Sequence, residues 1–290
     1  MSINFPLISV NGVLGAAISP LDRGFAYGDG VFETCRYSQG SIPLWIYHRE
    51  RLLHSATRLK IQLDENLLTQ YLDFMLAYLH DAAIAQAVIK ITVTRGVGGR
   101  GYRLPDNAVP TYCIGIFPGS ELRTDNYRAG VSVRICDLRL ACSEHLAGMK
   151  HLNRLEHILA RAEWQDEFAE GLLLDTYGKV IEATVSNVFV ITNNQLFTPD
   201  LSSAGVAGVM RRIMLEKLAP AAELISRTVD MELDFLLAAD EIFLCNSVYG
   251  IWPVNLLVDD RQSMITSQYS FSGHKITHTL QQHLAQLLDE

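Results

Sequence analysis

The sequence predicts an α+β protein of two domains, and two observations support this prediction. Segments with the two-residue alternation of strands are mixed with segments of helical periodicity. A polar stretch without periodicity, GSELRTDNYRAG at 119–130, separates two such regions, and we interpret it as an interdomain linker. The length of 290 residues suits one large domain or two medium ones. We therefore predict a smaller N-terminal α/β domain over 1–118 and a larger C-terminal domain over 131–290.

The N-terminal elements follow from hydrophobic spacing and turn residues. An alternating segment ends at Asn11-Gly12, a dipeptide typical of hairpins. Apolar residues such as Leu52, Ala56 and Leu59 recur at helical spacing. In order, the pattern predicts a strand over 5–10, a strand over 31–37 after the turn at 28–30, helices over 47–60 and 65–82, and strands over 87–94 and 109–117.

The C-terminal region alternates short strands with a few helices. Its β-branched runs are broken by turn residues, which is typical of short strands in a mixed domain. In order, the pattern predicts strands over 131–138, 171–175, 180–183, 187–192, 196–198, 241–246 and 251–258, and helices over 152–164, 208–218 and 274–289.

Composition narrows the class of protein. The formal net charge of −8 argues against a nucleic-acid binder. The 5 cysteines are odd in number and form no CxxC pair, so neither a disulfide framework nor a zinc ribbon is expected. The first residues lack a signal-peptide pattern, and no apolar run is long enough to span a membrane. We expect a cytoplasmic protein without a metal.

Lys150 stands out among the six lysines because its neighbours are small or apolar, in the segment HLAGMKHL. Desolvation lowers the pKa of an amine and makes it nucleophilic near neutral pH. The context alone also fits an ordinary surface lysine at a helix start. Glu182 lies between a strand and a turn of small residues, where a carboxylate could pair with the pyridine nitrogen of pyridoxal 5′-phosphate, although a solvated turn acid is the simpler interpretation.

Three further segments are compatible with phosphate binding. The glycine-bearing turn before Val209 and Met210 opens a helix, whose N-terminal amides favour an anion. Ser247 ends a strand with a hydroxyl donor, and Arg51 supplies a cation. Each signal is weak alone, because many helices follow glycine and most arginines lie on solvated helix faces.

Taken in order, these segments resemble the fold-type IV pyridoxal-phosphate enzymes, which include the D-amino acid and branched-chain aminotransferases and the aminodeoxychorismate lyases. The resemblance extends from GDGVFE at 28–33 to ADE at 239–241. The segments HLAGMKHLNRLE at 145–156 and RGVGGRGY at 95–102 are most similar to the lyases. Branched-chain aminotransferases carry a tyrosine shortly after the lysine, where this chain has Asn153-Arg154-Leu155.

The resemblance implies a D-amino acid aminotransferase-like fold with the cofactor between the domains, and it implies a role for each matching residue. Lys150 would be the Schiff-base lysine and proton shuttle, and Glu182 would pair with the pyridine nitrogen. The other implied cofactor-binding residues are Arg51, Asn187, Val209, Met210 and Ser247. The implied substrate-binding residues are Phe32, Arg100 and Tyr102.

The implied reaction converts 4-amino-4-deoxychorismate, a small anionic amino substrate, to 4-aminobenzoate and pyruvate in folate biosynthesis. The resemblance also implies a homodimer, with an aminodeoxychorismate synthase upstream in the pathway. Two alternatives stay open: a D-amino acid or branched-chain aminotransferase of the same fold, and a non-catalytic binding protein. A nicotinamide site is disfavoured, because the glycines at 96–101 follow a strand but open no helix.

Overall fold

The computed structural model describes residues 4–119, 124–262 and 265–289, which form two compact units. The first unit comprises Met1–Ser120 and the short segment Met149–Asn153. The second comprises Glu121–Gly148 and Arg154–Glu290. Both units combine helices with a β-sheet, which confirms the predicted α+β class.

The first unit is built on a five-stranded antiparallel sheet in the order β2-β1-β5-β4-β3. Helices α2 and α3 cover it, with Leu52, Leu68 and Met75 almost fully buried in the core. Asp64 caps α3 by accepting hydrogen bonds from two amides of its first turn. The elements are β1 (Leu7–Val10), β2 (Val13–Leu14), α1 (Arg23–Tyr27), β3 (Gly30–Ser38), α2 (Trp45–Arg58), α3 (Glu65–Asp81), β4 (Gln86–Thr94) and β5 (Thr111–Pro118).

The second unit contains a larger mixed sheet, with a main path in the order β11-β10-β9-β13-β14-β6-β7-β8-β12 and with β15 paired to β14. Its strands are β6 (Val131–Leu140), β7 (Glu170–Asp175), β8 (Lys179–Ala183), β9 (Asn187–Thr192), β10 (Gln195–Pro199), β11 (Ile225–Val229), β12 (Met231–Glu232), β13 (Glu241–Asn246), β14 (Gly250–Gln262) and β15 (Ile265–Ser270). Its helices are α4 (Thr124–Ala129), α5 (Leu155–Arg161), α6 (Val209–Ile213), α7 (Ala219–Ala221), α8 (Leu233–Leu237) and α9 (Lys275–Asp289), and a π-helical turn over Met214–Leu218 joins α6 to α7.

The segment Met149–Asn153 groups with the first unit because its backbone binds the start of β3. The Phe32 amide donates to the Lys150 carbonyl at 2.9 Å, and the Leu152 amide donates to the Gly30 carbonyl at 3.0 Å. The prediction placed Lys150 in the C-terminal domain and within two residues of a helix at 152–164. In the structure α5 begins only at Leu155, because the backbone of the preceding segment is hydrogen-bonded to β3.

Two other differences concern the connecting regions. The predicted linker over 119–130 contains α4, while residues 120–123 lie outside the described residues. The region between 218 and 241, for which the sequence predicted no element, forms β11, β12 and α8. All five cysteines lie in the described ranges, and their thiols are free. Among the described residues, no helix is long and apolar enough to cross a membrane. The domain boundaries and the cofactor's place between the domains stay predictions.

Candidate active site

In the first unit, the structure brings two of the predicted site residues together. The Lys150 Nζ atom lies 4.5 Å from the centre of the Phe32 ring, and the backbones of the two residues are hydrogen-bonded. An ammonium over an aromatic face is attracted by the ring's quadrupole. The lysine side chain thus projects from a backbone that the sheet holds in a fixed register.

Arg51 lies on α2 and forms an ion pair with Glu33, which is buried on β3. Its Nε and Nη2 atoms donate to the two carboxylate oxygens at 2.7 and 2.5 Å. The Nδ1 atom of His48 lies 2.7 Å from the same carboxylate. Burial alone would raise the pKa of Glu33, but Arg51 and His48 outweigh burial and lower that pKa from 4.5 to about 2. Sequence reasoning selected Arg51 but missed its carboxylate partner.

A second buried ion cluster braces the loop that carries Arg100. Asp29 accepts hydrogen bonds from Arg23 at 2.9 Å and from Arg95 at 2.7 and 2.9 Å. Burial raises the pKa of Asp29, yet the two guanidinium groups lower it overall. Arg23 also donates to the Gly99 and Gly101 carbonyls, on either side of Arg100. The loop's backbone is therefore fixed, while the Arg100 side chain is exposed.

Tyr102, the third predicted substrate-binding residue, is 86% exposed. Its ring meets the edge of the Tyr27 ring at a centroid distance of 5.8 Å, and the Arg23 guanidinium lies over the Tyr27 ring at 4.9 Å. These two contacts connect the end of the loop to the Asp29 ion cluster. Within the first unit, Arg100 and Tyr102 thus share one braced loop, and Phe32 lies with Lys150.

In the second unit, Glu182 and Asn187 flank a short loop and bind the same backbone. Glu182 is 3% exposed, and its Oε2 atom accepts a hydrogen bond from the Val206 amide at 2.9 Å. The Asn187 amide group donates to the Val206 carbonyl at 2.9 Å. These two contacts fix the segment that leads into α6.

The N-terminus of α6 presents the amides of Val209 and Met210, the two residues predicted to bind phosphate. The first turn of a helix leaves its amides without an intrahelical acceptor. Gly208 caps this helix, and a β-carbon there would come within 2.0 Å of the Asn187 Oδ1 atom. Any larger residue at 208 would therefore force the Asn187 side chain to move.

Ser247 lies in the turn that follows β13. Its neighbour Asn246 shapes this turn by accepting hydrogen bonds from the Val248 and Tyr249 amides at 2.9 and 3.1 Å. The Asn246 amide group also donates to the Val185 carbonyl at 3.2 Å. The turn that carries Ser247 is therefore hydrogen-bonded to the loop between Glu182 and Asn187.

Glu170 is a buried residue that sequence reasoning missed, and it organises the same loop. Its carboxylate accepts hydrogen bonds from the Thr184 and Ser186 hydroxyls and from the Val185 amide. Burial raises the pKa of Glu170 despite these three donors. The sequence offered no signal for this role, because Glu170 lies at the start of a strand 12 residues before Glu182.

A second residue that sequence reasoning missed is His157 on α5. Its Nε2 atom lies 2.9 Å from the Glu182 Oε1 atom, so both carboxylate oxygens are engaged. The sequence offered no signal that pairs His157 with Glu182. His157 falls inside the helix predicted over 152–164, and the structure places it on α5, which begins at Leu155.

The chain matches the family model described as amino-transferase class IV over residues 30–257. It is 37% identical to the aminodeoxychorismate lyase of Vibrio harveyi, over 95% of this chain and 98% of that protein. The crystal structure of 4-amino-4-deoxychorismate lyase from Pseudomonas aeruginosa is similar at 40% identity with a TM-score of 0.88, covering 98% of this chain and 100% of that one.

A third relative is named as an aminotransferase and not as a lyase. The chain is 35% identical to a putative branched-chain-amino-acid aminotransferase of Methanocaldococcus jannaschii, over 82% of each protein. The family model covers most of the chain, and these relatives cover most of its length. The resemblance to the fold-type IV enzymes is thereby confirmed, and the chain belongs to the class IV aminotransferase family.

Proposed function

We propose that this chain converts 4-amino-4-deoxychorismate to 4-aminobenzoate and pyruvate with the help of pyridoxal 5′-phosphate. One observation carries the proposal: 37% identity to an aminodeoxychorismate lyase along 98% of that relative's length. The similarity to the Pseudomonas aeruginosa lyase structure supports it. The class IV family uses this cofactor, and a distant relative of the same fold has been solved in a pyridoxal-phosphate-bound form.

The chemistry of the residues present fits this cofactor. An amine that can attach covalently is available at Lys150, and a buried carboxylate that can face a protonated ring nitrogen is available at Glu182. The start of α6 offers backbone amides for a phosphate at Val209 and Met210. We assign the remaining contacts, as the resemblance implies, to Arg51, Asn187 and Ser247.

When bound, pyridoxal phosphate supplies an electron sink for the charge that develops as a proton leaves the carbon bearing the amino group. We assign that proton transfer to the Lys150 Nζ atom, which takes the proton from C4 of the substrate ring. The bond between the ring and the enolpyruvyl oxygen then breaks, the ring becomes aromatic, and the departing enol gains a proton to become pyruvate. General acid–base groups of this kind typically contribute about 10²–10⁴-fold.

Substrate recognition is assigned to Phe32, Arg100 and Tyr102. The substrate carries two carboxylates, and a guanidinium can bind a carboxylate through two parallel hydrogen bonds. Arg100 is suited to this task because Arg23 braces the carbonyls on both sides of it, which leaves its side chain available on a fixed backbone. Phe32 lies beside the Lys150 amine, where the reacting carbon would have to be placed.

The direct test is to assay the purified protein with 4-amino-4-deoxychorismate and no keto acid, and to follow pyruvate through lactate dehydrogenase. We expect pyruvate and 4-aminobenzoate in equal amounts. Lys150→Ala should lose both this activity and the visible absorbance of the bound cofactor. A Lys150→Ala protein that keeps a normal cofactor spectrum reducible by borohydride would contradict the assignment.

The alternative is an aminotransferase, which the similarity to the Methanocaldococcus jannaschii protein keeps open. Such an enzyme needs a keto-acid acceptor, and it would turn over D-alanine or a branched-chain amino acid with 2-oxoglutarate. Turnover of those pairs, with no pyruvate from 4-amino-4-deoxychorismate, would replace the lyase proposal. The homodimer, the cytoplasmic location and an upstream synthase that supplies the substrate belong to the same proposal and rest on the resemblance.

A further inference from the structure

The proposed mechanism assigns no role to the buried contact between His157 and Glu182. His157 projects from α5, and Glu182 lies on β8 of the same unit. The side chains are only 13% and 4% exposed, and the Nε2 and Oε1 atoms are 2.9 Å apart. The Val206 amide occupies the other carboxylate oxygen at 2.9 Å. Each oxygen of Glu182 thus already accepts one hydrogen bond from the protein.

The surroundings of the imidazole indicate which nitrogen carries its hydrogen. A carboxylate accepts hydrogen bonds, so the Nε2 atom must be the donor. The Nδ1 atom of His157 is buried and has no hydrogen-bond partner among the described residues. The geometry therefore places a hydrogen on Nε2, directed at the Glu182 carboxylate.

A buried donor of this kind has a specific effect on a carboxylate. It occupies one lone pair of one oxygen and so fixes the carboxylate plane, while the remaining lone pairs can still accept a hydrogen bond from a ligand. Two cations also act on Glu182 within this unit: burial lowers the pKa of Arg154 and of Arg211, and the charge of Glu182 raises both. His157 touches the carboxylate directly through its Nε2 atom and fixes its orientation.

We propose that His157 is a positioning residue that holds the Glu182 carboxylate in the orientation in which it can accept a hydrogen bond from the protonated pyridine nitrogen of pyridoxal phosphate. The inference rests on the proposed function, which assigns Glu182 to that nitrogen. A second layer of hydrogen bonding of this kind commonly tunes the group that contacts a bound cofactor. If the role is correct, the benefit from His157 depends on the ring nitrogen being present.

The test therefore compares two ligands, pyridoxal phosphate and its 1-deaza analogue, in which the ring nitrogen is replaced by CH. Dissociation constants for the apoprotein are measured by absorbance and tryptophan quenching. His157→Phe removes the donor and keeps a ring, whereas His157→Gln keeps a donor near the Nε2 position. Glu156→Gln is the matched control on α5, because it alters a hydrogen bond to the Ala141 amide instead.

We expect His157→Phe to weaken binding of pyridoxal phosphate roughly 10–100-fold, the usual cost of losing a hydrogen bond to a charged group. Binding of the deaza analogue should change by no more than about 2-fold, since it makes no bond that depends on Glu182. His157→Gln should recover most of the affinity for pyridoxal phosphate, and Glu156→Gln should behave like the wild type with both ligands. The ¹⁵N shift of ring-labelled cofactor should move towards the unprotonated value in His157→Phe alone.

Equal weakening of both ligands by His157→Phe would overturn the proposal, because it would indicate a general packing role. Unchanged affinity and an unchanged ¹⁵N shift would overturn it as well. If His157→Phe does not fold, His157→Met serves as the donor-free variant with the same expectations. A wild-type protein that binds neither ligand would overturn the proposed function itself, whereas normal wild-type binding with unaffected variants overturns this inference alone.

Discussion

The ion pair between Arg51 and buried Glu33 makes a quantitative prediction about stability at acid pH. Glu33 is fully buried, and it accepts hydrogen bonds from Arg51 at 2.7 and 2.5 Å. Its pKa falls from 4.5 to about 2 in the folded protein. A lowered carboxylate pKa contributes stability that is present above about pH 4.5 and is lost as the pH falls towards 2. The drop corresponds to about 3 kcal/mol of unfolding free energy.

The perturbation is Glu33→Gln, which removes the titrating group and with it the ion pair to Arg51. At pH 7 we expect the variant to be less stable than the wild type by about 3–5 kcal/mol, the usual cost of breaking a buried pair. The difference should shrink as the pH falls from 4.5 towards 2, because the wild type then protonates Glu33 and loses the same interaction.

The assay is urea unfolding at a series of pH values, followed by the fluorescence of Trp45 in the first unit, with Trp164 and Trp252 replaced by phenylalanine in every variant. Glu65→Gln is the matched control, since Glu65 pairs with Arg49 on the half-exposed side of α3. That change should cost no more than about 1 kcal/mol. A difference between Glu33→Gln and the wild type that stays constant between pH 7 and pH 3 would refute the reasoning.

Two further predictions concern cofactor binding and assembly. Gly208→Ala should weaken the binding of pyridoxal phosphate roughly 10-fold or more, because the new β-carbon would displace Asn187 and break its hydrogen bond to the Val206 carbonyl. Fluorescence titration measures the dissociation constant. An unchanged affinity would contradict the close approach of Asn187 to residue 208. On α5, Leu155 and Leu159 are 72% and 61% exposed and form an apolar stripe that we expect the proposed dimer to cover. Leu159→Glu should therefore shift the protein towards a monomer, as measured by light scattering. A variant that stays a stable dimer would exclude this stripe from the interface.

The local sequence pattern was sufficient to predict an element where the tertiary contacts favour the same secondary structure. The strand predicted over 187–192 is β9, and that over 241–246 is β13, because both are β-branched or apolar runs buried on two faces. The helix over 65–82 was predicted to within one residue of α3, since its cap and its apolar face are local properties. The family likewise followed from ordered motifs, and the match over 30–257 confirms it.

The failures arise where a contact distant in the sequence decides the structure. The helix expected from 152 begins later, because Leu152 donates its amide to Gly30. Strand β11 was missed because it is a half-exposed strand whose only partner on the main path of its sheet is β10, so its alternation is weak. No local signal could pair Arg51 with Glu33 or His157 with Glu182, since each pair joins a helix to a strand. The site residues selected by resemblance stay predictions until binding is measured.

The attachment of Met149–Asn153 to β3 also bears on how the chain can be made and cut. A ribosome synthesises residues 1–120 well before the segment Met149–Asn153. The first unit therefore cannot be complete until residues 121–148, which belong to the second unit, have also been made. A protease cut or a gene split near residue 120 would leave Lys150 on the C-terminal fragment, while the strand that holds its backbone would remain on the other. Circular permutation or fragment expression should therefore keep 149–153 joined to the N-terminal portion if that portion is to fold complete.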